Sequence, residues 1–311
     1  GASDVLANTG AVTVNGGTLA LGSYSDTVGA VTIGTSGGSI TSTTGVLTGS
    51  SYTFNNTSAA TVSAILAGTG DLTQNASGTT TLSGTNTYTG INTLNAGTLA
   101  LSSNGTLGAT ANNLVMSNTA VLDLQRALTV GNLTMATGNA IINSAGSSSL
   151  TVGGVSALAG VITTSGNQTY TGAVTLLSDT NLISNNGSGN GTIAFSSAVN
   201  SNTGTNYYLY TTTGTGSTTF AGAVGTTRAL SALSTSGNAS LAANVTTVGA
   251  QNYGGNLTLT GADINLNTTN SAVTFSAGVT GSGNTLTVNA GSGAISTAAL
   301  GTSAASLGAV I

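Results

Sequence analysis

The sequence predicts an all-β fold, a parallel β-helix of roughly 15 coils, and three observations predict it. A fourteen-residue stretch near the start returns about 80 residues later with most of its letters intact. Short runs alternate apolar residues with Thr, Asn or Asp and are separated by clusters of Gly, Asn and Ser. Proline is absent and the usual occupants of exposed helix positions, Glu, Lys, Gln and Arg, are absent or scarce, while β-branched Val, Ile and Thr abound.

Taken along the chain, the repeat opens with Asn8 to Leu21, which aligns without a gap on Tyr88 to Leu101; its opening recurs as Tyr170 to Leu176 and as Tyr253 to Leu259. A fixed internal period means one supersecondary unit stacked on copies of itself. The reading is a single continuous β-solenoid over 1–311 built of ~80-residue repeats, approximately 8–87, 88–169, 170–252 and 253–311. Val12-Thr13-Val14, Leu19-Ala20-Leu21, Val31-Thr32-Ile33, Leu122-Asp123-Leu124, Leu257-Thr258-Leu259, Ile264-Asn265-Leu266, Val273-Thr274-Phe275 and Leu286-Thr287-Val288 read in order as strands. Period-two alternation puts Leu19, Leu99, Leu257 and Phe275 inside and Thr18, Thr98, Thr258 and Thr274 outside. Between strands, Gly34 to Gly38, Asn185 to Gly191 and Gly281 to Asn284 supply corners. Tyr88, Tyr170 and Tyr253 hold equivalent places in the repeat and are expected to lay a ring over adjacent coils beside a glycine corner.

Two architectures suit many short strands with regular turns: an antiparallel sandwich or barrel array, and a parallel β-helix. Aromatic content of 4% and the lack of Trp favour the second, since small uniform side chains fill a narrow prism. At about 20 residues per coil, each repeat is about four coils. The missing prolines fit strands that donate hydrogen bonds to neighbours on both sides.

Composition narrows the function. Only 3% of residues are charged: six Asp and two Arg, with no Glu, Lys or His. A net charge of −4 lacks the basic footprint of a nucleic-acid binder and does not favour an anionic membrane surface. No apolar run approaches the about 20 residues that span a bilayer, and the opening Gly-Ala-Ser-Asp carries no signal pattern, so no membrane insertion by this segment is expected and export signals would lie outside it. Absence of Cys leaves cohesion to packing and backbone ladders.

Gly68 to Asn75, followed by Gly78 to Gly90 and closed by Asn95 to Leu99, resembles the autotransporter-associated β-strand repeat found in passenger regions of large Gram-negative surface proteins. From about residue 160, Gln168-Thr169-Tyr170-Thr171-Gly172 and Gln251-Asn252-Tyr253-Gly254-Gly255 are similar to repeats of filamentous-haemagglutinin-like exoproteins. The resemblance implies a right-handed β-helix, secretion, and a role outside the cell or on the bacterial outer surface. It carries over no catalytic residue.

The residues themselves offer little chemistry. Asp4, Asp26, Asp71, Asp123, Asp179 and Asp263 are spread so that only Asp4 and Asp26 fall one coil apart, and neither His nor Cys exists to act as base or nucleophile. No catalytic, cofactor or metal residue is assigned, and the Asp residues read as solvated strand or turn positions. Asp123 and Arg126 read as a turn pair. Tyr207, Tyr208 and Tyr210 form the one aromatic cluster the period does not explain: exposed, it would face a glycan or host surface protein; packed under a loop, it would be a satellite core. The chain begins in repeat-like sequence and finishes in the apolar Val310-Ile311, so open strand edges are expected at both ends. Val12, Val14, Val310 and Ile311 are therefore expected to mediate head-to-tail contact between copies. The leading functional reading is a secreted structural rod assembling into a fibre, sheath or surface layer; the alternative is an adhesin passenger or stalk.

Overall fold

The computed structural model describes residues 2–185, 190–281, 283–300 and 309–310, the last two by backbone alone. The fold is a parallel β-solenoid of about 14 turns, without a helix among the described residues. Its contacts group into two compact units, Gly1–Ser149 and Leu150–Ile311.

In the first unit, one face stacks Val12–Val14, Ala30–Ile33, Ser51–Phe54, Leu72–Gln74, Asn92–Leu94, Leu114–Met116 and Leu133–Met135, each parallel to the next. Register aligns like with like. Val14, Ile33, Phe54, Gln74, Leu94, Met116 and Met135 form an inward row, while Thr13, Thr32, Thr53, Thr73 and Thr93 form an outward one. A second face stacks Thr18–Gly22, Gly38–Ser42, Ala60–Val62, Thr79–Leu82, Thr98–Leu101 and Val121–Leu124. Short strands Asp26–Thr27, Val46–Thr48 and Ile65–Ala67 begin a third. Every strand pairing named here is parallel, which removes the sandwich alternative.

The second unit has three faces. Gln168–Tyr170, Ile193–Phe195, Ser217–Phe220 and Asn238–Leu241 stack on one, and the long strands Ser156–Thr163, Val174–Ile183 and Val273–Gly281 each bend across a corner to serve two. Inside, Tyr170, Phe195 and Phe220 stack at centroid distances of 5.2 and 5.0 Å, and Tyr253 stacks on Phe275 at 5.5 Å. At the corner after Tyr170, a side chain on Gly172 would lie 2.3 Å from the Gly154 carbonyl oxygen of the coil below, so only glycine fits.

The alternation holds where expected. Leu99, Leu257 and Phe275 are buried and Thr258 is exposed, with Thr98 and Thr274 half-buried. Leu19 points inward but is only half-buried, because its strand has a ladder neighbour on one side among the described residues. The uniform 20-residue coil is corrected: Leu72 pairs with Asn92, but Thr180 pairs with Leu209, 29 positions on. Unequal coils shift the repeat against the prism. Tyr170 lies on the face of Phe195, whereas Tyr253 lies on the face that carries Leu182 and Thr211, so equivalent repeat positions occupy different walls.

Candidate ligand-facing surface

The corners explain the Asp residues. In five of the six cases one carboxylate oxygen accepts main-chain N–H from an adjacent coil: Asp26 from Val5 (2.9 Å) and Leu6 (3.1 Å), Asp71 from Ile91 (2.8 Å), Asp123 from Ser144 (3.0 Å), Asp179 from Tyr208 (2.9 Å) and Asp263 from Thr285 (2.7 Å). Asn15, Asn113, Asn167, Asn238, Asn244 and Asn270 do the same. Where the chain turns, the backbone ladder loses its partner, and a short oxygen-bearing side chain replaces it. These positions are therefore inter-coil caps rather than the merely solvated turns expected. Asp4 and Asp26 do lie in adjacent coils, yet the Asp26 oxygen that makes hydrogen bonds is committed to backbone. Asp123 does not pair with Arg126: it accepts from Ser144 and from Gln125, while Arg126 donates to the Ser103 carbonyl at 3.2 Å. Among the described residues no group of three or more His, Cys, Asp or Glu is poised to hold a metal.

One surface in the second unit combines a corner cap with aromatic side chains. The strand Ser156–Thr163 changes register at Gly160: Leu158 pairs with Leu176, then Gly160 pairs with Thr180. Gly160 has φ of 76°, a conformation that side-chain-bearing residues resist. Its lack of a side chain opens the floor of a groove. Two coils above Gly160, the strand Tyr208–Thr212 buries Leu209 and turns Tyr208 and Tyr210 to the outer face. Their rings are nearly parallel, 13° apart with centroids 6.3 Å apart. Val161, Asn181 and Tyr210 stand in one outward row across three coils. Together with Gly160 and the capping Asp179, they line a groove of about 370 Å³. The Asp179 carboxylate, by accepting from the Tyr208 amide, ties the groove's acidic wall to its aromatic one.

Of the three tyrosines singled out by sequence, the structure brings two together here. Tyr207 precedes the strand; its N–H donates to Ser201 Oγ at 2.8 Å and its carbonyl accepts from Ser231. Val161 and Asn181 escaped the sequence reading, and Asp179 was read there only as a solvated position, because the coil joining them to Tyr208 is longer than its neighbours. The signal that would have found them is the pairing of Asp179-Thr180-Asn181 with Tyr208-Leu209-Tyr210.

The residues expected to mediate self-association fall elsewhere. Val12 and Val14 pair with Val31 and Ile33; Val14 is buried, Val12 half-buried, and with Thr18 and Leu19 they border a depression of about 330 Å³. Val310 pairs with Leu286 through its backbone, and Ile311 lies outside the described residues. The Asn185 to Gly191 corner lies partly outside them as well.

No family model matches the chain, and no solved structure matches it. Among curated proteins it is similar to the adhesin BmaC autotransporter of Brucella suis biovar 1 (strain 1330), with 32% identity over 166 residues, 52% of this chain. The match spans only 5% of that protein's length.

Proposed function

We propose that this chain is a stretch of an adhesin passenger, the surface-displayed part of an autotransporter-like protein, and that it works without catalysis as a solenoid stalk carrying a contact surface outside the cell. One observation carries the reading: the 32% identity over 166 residues with an adhesin autotransporter. A parallel solenoid suits the role, because each added coil lengthens the stalk without requiring a new core. The engagement of the scarce carboxylates in backbone caps supports a non-enzymatic role. The likeness of Gln168 to Gly172 and Gln251 to Gly255 to filamentous-haemagglutinin-like exoproteins belongs to the same proposal.

Head-to-tail assembly through Val12, Val14, Val310 and Ile311 is the competing reading, favoured by the depression that Val12, Val14 and Leu19 border. The two differ in a direct experiment. The chain is displayed on a non-adherent bacterial host, and adherence to cultured epithelial cells is counted against the same display scaffold without it; the purified chain is imaged by negative-stain electron microscopy. The adhesin reading expects increased adherence and isolated particles. Unchanged adherence together with long filaments would replace it with the structural reading.

A further inference from the structure

The groove beside Tyr208 and Tyr210 has a chemistry that the stalk does not need, and we propose that it binds a neutral saccharide, with a sugar ring laid against the tyrosine pair. The biological source of that sugar, a surface glycan, rests on the adhesin reading; the site rests on its own residues.

Folding does not account for the two rings. Tyr52, Tyr88, Tyr170 and Tyr253 are fully buried and fill the prism, whereas Tyr208 and Tyr210 stand on the outer face, where the adjoining row continues as Ser234, Asn252 and Thr274. Large half-buried rings amid Ser, Thr and Asn bring apolar area to water without covering a core. They are also held in place: Leu209 anchors the strand between them, and the Tyr208 amide is fixed to Asp179. A prepositioned platform loses little entropy on binding.

The polar groups select the ligand. Neither phenolic hydroxyl hydrogen-bonds to another described residue, and exposed Asp179 uses only Oδ1 internally, leaving Oδ2 as an acceptor. Asn181 lines the groove as well, although its Oδ1 is buried and the rim acceptor is Asp179 Oδ2. Paired ring faces ask for a flat apolar surface with slightly positive hydrogens, and the rim asks for groups that both donate and accept. A sugar ring offers both: C–H bonds on one face and hydroxyls around its edge. Charge sets the sign. The groove's one ionised group is Asp179 and no cation lines it, so uronates, sialic acids and sulfated sugars would be repelled. A cationic peptide satisfies that charge too and can rest on the ring faces, but the groove offers it one exposed carboxylate, a weak contact on its own. The volume of about 370 Å³ lies within the about 300–1,000 Å³ range of small-ligand clefts.

The test titrates the purified chain with lactose, maltose and cellobiose, and separately with sialyllactose and trilysine, following Tyr208 and Tyr210 by NMR. At least one neutral disaccharide is expected to give saturable shifts there, and sialyllactose none at equal concentration. Tyr208→Ala with Tyr210→Ala should weaken sugar binding about tenfold or more, and the paired Phe variants should weaken it less, since they keep the rings. Asp179→Asn, which retains a side-chain acceptor for the Tyr208 amide and removes the negative charge, should let sialyllactose shift the same resonances. No shift with any of the three neutral sugars, binding indifferent to the Ala pair in a folded variant, or binding of trilysine alone would overturn the proposal. The Ala pair, displayed on cells, separates this inference from the adhesin reading. Adherence equal to the parent chain's would defeat the surface-glycan source of the sugar and spare the adhesin; sugar shifts without adherence by the parent would spare the site and defeat the adhesin.

Discussion

At the residue scale, the buried tyrosines show how a charge-poor interior satisfies its polar atoms. Tyr170 donates to Gln168 Oε1 at 2.9 Å and Tyr253 to Gln251 Oε1 at 3.0 Å. Each Gln amide then donates to a threonine hydroxyl, Thr164 or Thr247, to a carbonyl of the preceding strand, Ile162 or Val245, and to one in the next coil, Ile183 or Asn267. This corner device serves different faces of the prism equally well. Burial raises the phenol pKa of Tyr170, Tyr253, Tyr88 and Tyr52 above the ordinary value of 10.0. The folded chain therefore holds those protons where the unfolded chain releases them, so the stability they support is complete below about pH 10 and is lost as pH rises beyond it. Denaturant unfolding at pH 8 and pH 11 should show a lower midpoint at pH 11. Tyr170→Phe with Tyr253→Phe should cost about 1 kcal/mol per hydroxyl at pH 8 and narrow the difference at pH 11; a parent chain equally stable at both pH values would contradict the account.

At the element scale, the unit of cohesion is one strand against its ladder neighbours. Leu99 is fully buried and pairs with Thr80 below and Leu122 above. Truncation by Leu99→Ala should cost about 2–5 kcal/mol, felt most by the adjacent coils because solenoid contacts are nearest-neighbour. Hydrogen exchange should quicken in Thr79–Leu82 and Val121–Leu124 while protection at Gln168–Tyr170 is unchanged. Equal loss everywhere would show a more cooperative fold than local coupling allows. The corners obey the same logic: Asn113 Oδ1 accepts the Asn132 N–H at 2.9 Å, one coil on, where the backbone ladder breaks.

At the scale of the whole molecule, a chain with 3% charged residues and no cysteine is held by parallel ladders, inward apolar rows and side-chain caps at the corners. With no His to titrate and few carboxylates, melting should vary little between about pH 5 and pH 9. The corner carboxylates act on backbone amides, so EDTA should leave the calorimetric transition in place. A marked fall in Tm on adding chelator would reveal a metal that the corner caps do not explain.

What the sequence determined by itself is the local rule. Alternation at period two chose strands and placed Leu99, Leu257 and Phe275 inside, because a strand's facing follows from its own stereochemistry, and the small uniform inward side chains favoured parallel stacking. What only the tertiary structure decided is which residues become neighbours across coils. That depends on the residues summed over all corners in between, and surface corners accept insertions at small entropic cost. Hence the repeat carried Tyr170 and Tyr253 to different faces although their letters align. Hence also Tyr208 and Tyr210 were legible as an aromatic cluster, while their meeting with Asp179 and Val161 across unequal coils and a bulge at Gly160 was not.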